Sequence, residues 1–316
     1  MSMDFDTFAT PEGKTLRAVC VNKSYGKQQV LHALDLDLQP GCIYGLIGRN
    51  GAGKTTLLGI LSGQNTMDSG SVTYGGEPVW ENTAALADLC FSRELNGAAG
   101  DPRAALKVKD YLRAGAIFYP HWDAEYAQAL IRRFGLEKDL KKTMNKLSKG
   151  QMSMVTITLA LASRAPVTLL DEPVAGLDVV AREDFYRLLL DDYAQTNRTF
   201  VVSTHIIEEA AAVFERVIVL DEGRILENAP TEELVGQFRY LSGEESAVNE
   251  AVQRSGVQPV RSESLGRHKM LAVRGSAEQL AALVPLESAL GVRTEPMNLQ
   301  NVFVALCGHE NHESKG

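Results

Sequence analysis

Gly48-Arg49-Asn50-Gly51-Ala52-Gly53-Lys54-Thr55, followed by Thr56, decides the reading of this chain. The stretch fits the pattern G-x-x-x-x-G-K-[ST], and each fixed position has a physical reason. Glycines let the backbone turn tightly, so that successive N–H groups point inward at phosphate oxygens. Lys54 brings a mobile positive charge to the outer phosphates, and the Thr55 hydroxyl suits a hard cation such as Mg²⁺. The neighbours agree. Apolar residues 42–47 read as a buried strand, and residues 54–63 read as a helix whose N-terminal end favours an anion. A functionless Gly-rich connection is the bland alternative, and this strand-loop-helix context counts against it.

Val167-Thr168-Leu169-Leu170-Asp171-Glu172-Pro173 ends a second apolar strand with two acids. In an open parallel sheet, ligands gather at the carboxyl ends of the strands. There Asp171 would hold a metal and Glu172 would orient an attacking water. Phosphoryl transfer asks the protein mainly for placement and charge stabilisation. Further strands are expected at 16–22, 31–38, 71–74, 87–91, 199–203 and 217–220, with the alternation of apolar and polar residues marking 31–38 as half-buried. Residues 110–118 and 124–134 have helical spacing, Asp123 stands at an N-cap position and Gly135 at a helix stop. Residues from about 95 to 163 therefore read as a helical insertion. Alternating strands and helical runs argue for a mainly parallel sheet covered by helices. Beyond residue 234, strands at 257–264, 269–274 and 292–296 and helices at 277–284 and 299–306 read as a small separate α+β unit.

The 316 residues carry 32 Lys+Arg against 40 Asp+Glu, a formal net charge of −8, and are 45% hydrophobic and 23% charged. Those values exclude the disordered and collagen-like classes, and the acidity counts against broad binding to nucleic acid. No run approaches the ~18 apolar residues of a membrane span; the longest, 155–162, is broken by Thr. The first residues carry acids where a signal peptide is basic. A soluble, cytosolic chain is expected, with any membrane role exercised through a partner. Cys20, Cys42, Cys90 and Cys307 make no CxxC pair and are expected to be reduced. His309 and His312 read as part of a solvated tail.

Leu147-Ser148-Lys149-Gly150-Gln151 precedes the apolar run. Ser148 and Gln151 have the S-x-x-Q spacing of a capping box, and a plain helix start explains them in isolation. Together with the cradle and the strand-end acids, in this order, the segment resembles the LSGGQ signature of ATP-binding cassette (ABC) ATPases. Lys149 replaces the first paired glycine. Tyr25 resembles the family's adenine-stacking aromatic, Ala175-Gly176-Leu177-Asp178 its D-loop, and His205 after Ser203-Thr204 its switch histidine. The resemblance spans about residues 16–230.

It implies an α/β P-loop NTPase cassette over residues 1–235, with a mainly parallel sheet core, an antiparallel β subdomain and the helical insertion. A small α+β domain follows at 236–316. It implies ATP and Mg²⁺ as ligands. Gly48, Arg49, Asn50, Gly51, Ala52, Gly53, Lys54, Thr55 and Thr56 would surround the phosphates, with Tyr25 on the adenine. Thr55, Asp171 and Glu94 would face the metal, and Glu172 and His205 would be catalytic. Ser148, Gly150, Gln151 and Asp178 would reach a nucleotide across the seam of a homo- or heterodimer, two cassettes packing head to tail. The implied output is ATP hydrolysis that drives separate transmembrane permease subunits from the inner face of the cell membrane.

Two residues depart from the family pattern. Glu94 stands where the family has Gln, and would add negative charge near a triphosphate. Lys149 puts a cation at a helix N-terminus, against the dipole unless an anion is bound, and is expected to favour the ATP-bound closed dimer. Phe118-Tyr119-Pro120-His121-Trp122 offers either an aromatic docking surface for a permease or a mini-core within the insertion. Residues 296–306 resemble the ending of bacterial drug-, antibiotic- and peptide-exporting cassettes, which points to export. A soluble cassette ATPase without a transporter is the competing class. Such members carry two cassettes in one chain or long heptad arms, and neither is present here. A P-loop kinase would leave residues 147–151 and 175–178 unexplained.

Overall fold

Two units make up the chain in the computed structural model, which describes residues 13–95, 102–266 and 268–308. The expectations for residues 1–12, His309 and His312 lie outside the described residues. The first unit comprises residues up to Tyr44, Gly51–Thr204 and Glu222–Arg224; the second comprises Gly45–Asn50, His205–Asp221 and the chain from Ile225 onward.

In the first unit, β1 (Leu16–Tyr25) and β2 (Gln28–Leu38) pair antiparallel. After β3 (Ile43–Ile47) and α1 (Lys54–Leu61), β4 (Ser69–Tyr74) and β5 (Glu77–Pro78) complete an antiparallel sheet of order β2-β1-β4-β5. Leu34, Leu36 and Leu38 point inside with the period of two of a strand, and Leu31 joins them across an irregularity at Ala33, φ +45°, where the register with β1 shifts by one residue; all four are under 4% exposed. α2 (Thr83–Ala87) precedes β6 (Leu89–Arg93). The strand expected from 87 therefore begins at Leu89, because Asn82 accepts N–H bonds from Ala84 and Ala85 and caps a helical turn of alanines.

The helical insertion follows as α3 (Val108–Phe118), α4 (Ala124–Arg133) and α5 (Lys149–Ala162), with α3 and α4 packed on α5. Asp123 caps α4 by accepting the Tyr126 N–H at 2.8 Å, and Gly135 follows the helix at φ +66°. β7 (Val167–Asp171), α6 (Val179–Thr196) and β8 (Thr199–Thr204) complete the unit. Here the strand order is β3-β8-β7-β6, with β6, β7 and β8 parallel. Every residue of β7 and β8 is buried, the mark of strands covered on both faces. Beneath them Asp192, 1% exposed, accepts from Arg198 at 2.7 and 2.9 Å and from Arg164 at 2.8 Å.

The second unit holds the rest of β3 with α7 (Ile207–Ala210), β9 (Arg216–Asp221) and β10 (Arg224–Pro230), in the order β10-β9-β3. Next come α8 (Thr231–Gly236), β11 (Phe238–Glu244), α9 (Glu245–Ser255), β12 (Gln258–Leu265), β13 (His268–Arg274), α10 (Ala277–Ala281), α11 (Val284–Leu290), β14 (Arg293–Pro296) and α12 (Leu299–Cys307). The four strands among them form an antiparallel sheet, β12-β13-β11-β14. Leu241, Leu271 and Val273 meet Val248, Ala251 and Leu286 in a separate core. The single helix expected at 277–284 is two, because Pro285 lacks an N–H and sits in the first turn of a new helix. Among the described residues, no helix is long and apolar enough to cross a membrane.

The buried Asp192 network gives a direct test of the first unit. Asp192→Ala removes the carboxylate partner of the buried Arg198, while Arg164 keeps Asp123 at 3.1 Å, and should lower stability by about 3–5 kcal/mol. A chemical-denaturation midpoint will read this, and the KM for ATP of the folded fraction should change little.

Candidate nucleotide-binding and hydrolysis site

The site begins where α1 opens. Gly53 stands before the helix at φ +104°, and a Cβ there would lie 2.9 Å from Leu31 Cδ2 and 3.2 Å from the Val30 carbonyl. Both the dihedral and the close approach demand glycine. Lys54 is the next residue, and its side chain is 7% exposed, with Nζ 3.9 Å from Glu172 Oε1. Burial pulls the Lys54 ammonium below its ordinary value, while the charges of Glu172 and Asp171 oppose that shift. Additional negative charge would hold the lysine protonated more firmly.

Asp171 ends β7 and is 5% exposed. Thr55 donates its hydroxyl to Asp171 Oδ2 at 2.6 Å, and Ser203 donates to Oδ1 at 2.6 Å. The Glu172 N–H donates to Ser203 Oγ at 3.0 Å. A hydroxyl beside a carboxylate is a pair of hard oxygen donors, the type that Mg²⁺ takes with waters and substrate phosphates. Thr55 and Asp171 therefore fit that ion. Thus Lys54, Thr55, Asp171 and Glu172, separated by more than a hundred residues, meet in the first unit. The sequence pattern marks Ser203 only as a neighbour of His205. Its signal was positional: in the parallel ladder it is the register partner of Asp171.

Glu94 lies beside this cluster through its backbone, its N–H donating to the Asp171 carbonyl at 3.2 Å. Its side chain turns to Lys149, with Oε1 2.6 Å from Nζ. The two departures from the family pattern are thus partners. The cation at the N-terminus of α5 has its anion within the same chain.

Around Lys149 the capping box is complete. Ser148 Oγ accepts the Gln151 N–H at 3.2 Å, and Gln151 Oε1 accepts the Ser148 N–H at 3.0 Å. The Gln151 amide also donates to Asp139 at 2.9 Å. A hydroxyl that accepts one N–H still has its own proton to donate. Gly150 has a separate reason to be glycine, since a Cβ there would lie 2.7 Å from the Gly176 carbonyl oxygen. Ser153 donates to the Ala175 carbonyl at 2.6 Å, a second tie between α5 and residues 175–178. Asp178 itself caps α6, accepting the Ala181 N–H at 2.9 Å.

Tyr25 is 52% exposed, with Lys23 Nζ 5.3 Å from its ring centroid, and so presents an aromatic face. Gly48, Arg49, Asn50 and the exposed His205 belong to the second unit. Gly51, at φ +82°, Ala52 and Thr56 belong to the first.

Residues 31–175 match the family described as ABC transporter. The Nod factor export ATP-binding protein I of Cupriavidus metallidurans is 32% identical over 298 residues, 92% of this chain and 96% of its own length. The chain belongs to the ABC transporter family. The aliphatic sulfonates import ATP-binding protein SsuB of Ralstonia nicotianae is 31% identical over 248 residues, 77% of this chain and 84% of that protein. A solved structure of an ATP-binding subunit of an ABC transporter aligns with a TM-score of 0.60 at 25% identity, over 70% of this chain and 92% of its own. The cassette is therefore an α/β P-loop NTPase with a small C-terminal α+β part, and an ATP-hydrolysing enzyme. Relatives named for import and for export both match, so membership of the ABC family does not fix direction.

Two measurements probe the signature end of the cassette. A double-mutant cycle of Glu94→Gln and Lys149→Gln should give a stability coupling of about 0.5–1 kcal/mol that shrinks in high salt, as for a partly exposed pair. Gly150→Ala should destabilise the protein more than Lys149→Ala in thermal melts, because backbone must move to admit its methyl group.

Proposed function

We propose that this chain is the ATP-hydrolysing subunit of a membrane exporter, working as one of two cassettes that close around ATP and drive separate permease subunits. The observation that carries the hydrolytic part is the joint placement of Lys54, Thr55, Asp171 and Glu172 around one strand end. Lys54 and the glycine loop hold the phosphates. Thr55 and Asp171 would hold Mg²⁺, which would neutralise charge on the phosphate oxygens; Glu94 would join them only by leaving Lys149, its partner here. Glu172 orients and polarises the attacking water, and His205 senses the terminal phosphate. Tyr25 stacks on adenine.

The facing cassette completes the site. The N-terminus of α5, from Ser148 through Gly150 and Gln151, offers N–H groups to the terminal phosphate of the ATP held by the other subunit, and Asp178 stands at the same seam. ATP thereby favours the closed dimer, and loss of the terminal phosphate removes that preference. Lys149 then has two anions to choose between, Glu94 of its own chain and the phosphate across the seam.

Export is supported by the C-terminal part. α12 carries the exporter-like ending, and a relative named for Nod factor export aligns over 92% of the chain. A docking surface for the permease is supported by α3, where Ile117 is 72% and Phe118 75% exposed. Tyr119 and Trp122 of that aromatic segment are half-buried. Burial pushes the Tyr119 phenol up, and Trp122 packs so close to Gly115 that a Cβ there would meet its ring at 2.8 Å. The cassette works at the inner face of the membrane, without nucleic acid.

Glu172→Gln should bind ATP near normally, lose at least about 100-fold in turnover, and accumulate as a dimer in size-exclusion chromatography. Wild-type turnover would remove Glu172 as the catalytic carboxylate. Phe118→Ala should weaken co-purification with a polytopic membrane protein while leaving the ATPase rate of the isolated chain unchanged. Purification with ribosomes or DNA instead would point to a non-transport cassette.

A further inference from the structure

We propose that Ser203 is a positioning residue for hydrolysis, setting the geometry of Asp171 and Glu172 together. The inference rests on the reading of those two residues as the metal-holding and water-orienting carboxylates. Ser203 is fully buried near the end of β8, directly opposite Asp171 in the parallel register. Its single hydroxyl does two things. Its proton goes to Asp171 Oδ1 at 2.6 Å, and its oxygen accepts the Glu172 N–H at 3.0 Å. A hydroxyl has one proton, so donating it to Asp171 fixes the lone pairs toward Glu172. Two adjacent functional residues are thus oriented by one atom.

Glu172 is where that orientation matters most. Its φ is +48°, the left-handed region that a non-glycine residue enters at a cost of roughly 1–2 kcal/mol. Such a conformation persists where the surroundings over-determine it. Here the Glu172 N–H is held by Ser203, and the Glu172 carbonyl accepts the Ala175 N–H at 3.1 Å. The reversed φ turns the chain sharply out of β7, and so decides the direction in which the Glu172 side chain leaves. At Asp171 the two oxygens have separate partners, Thr55 on Oδ2 and Ser203 on Oδ1. Thr55 is itself a proposed metal ligand, so its bond to Asp171 belongs to the machinery. The bond from Ser203 fixes the other carboxylate oxygen.

The test uses the full chain with Ser203→Ala, Ser203→Cys and Ser203→Thr, alongside Glu172→Gln. Loss of the hydroxyl should lower kcat by roughly 10- to 100-fold, the scale of a misplaced reacting group, with KM for ATP little changed. Two readouts lie outside turnover. The Glu172 amide should exchange its hydrogen faster, read by NMR, and the Mg²⁺ concentration for half-maximal binding of a fluorescent ATP analogue should rise severalfold. Ser203→Thr, which keeps the hydroxyl, should restore all three. Wild-type kcat and wild-type Glu172 amide exchange in Ser203→Ala would overturn the inference. So would equal losses in kcat and in ATP affinity that Ser203→Thr fails to rescue. If Ser203→Ala does not fold, Ser203→Cys takes its place. A thiol is a weak donor, so an intermediate kcat supports the role and a wild-type kcat overturns it. Glu172→Gln separates the two levels. If it is inert while Ser203→Ala is normal, the inference falls alone; if it turns over normally, the catalytic reading falls with it.

Discussion

A buried carboxylate has to be given partners, and in this protein that requirement falls on Asp171. Left alone in an apolar sheet, its charge would cost several kcal/mol. The fold supplies two hydroxyls, one from the first turn of α1 and one from β8. Because each oxygen is bound separately, β7, β8 and the opening of α1 are tied at one point. Lys54 is drawn to the same place, giving up hydration through its own burial and recovering charge stabilisation from Glu172 and Asp171. The proposed chemistry rests on this convergence of charge at the strand ends.

A second convergence lies at the start of α5, where two local oddities cancel. A lysine in the first turn of a helix opposes the helix dipole, and a carboxylate beside a phosphate site adds unfavourable charge. Placed 2.6 Å apart, Lys149 and Glu94 neutralise one another. The signature tolerates Lys149 but has no room for a side chain at Gly150, since the Gly176 carbonyl already occupies that space. The two glycine positions of the family signature therefore face different constraints, one electrostatic and one steric.

Much of the architecture could be read from pattern because burial on one or both faces writes itself into the sequence. The alternation of residues 34–38, the largely apolar runs of β7 and β8, and the cap and stop at Asp123 and Gly135 each correspond to an observed element. The misses have equally local causes. β11 buries Phe238 and Leu241 three residues apart, which breaks the period of two, and α9 buries only a thin stripe of Val248, Ala251 and Ser255. Neither signal rises above its polar surroundings. The break between α10 and α11 turned on Pro285, whose effect on a helix depends on where in the turn it falls.

By itself the sequence determined the cradle, the paired strand-end acids and the order of motifs, because these are requirements on neighbours along the chain. It also marked Gly53 as a glycine of a tight turn into a helix, to which the fold adds the close approach of Leu31 and Val30. Tertiary structure alone decided that Glu94 faces Lys149, that Gly150 abuts Gly176, and that the Ser203 hydroxyl is shared between Asp171 and Glu172. Those contacts join residues 26 to 55 positions apart, and no periodicity records which side chains a parallel register and a packed helix will bring within hydrogen-bonding reach.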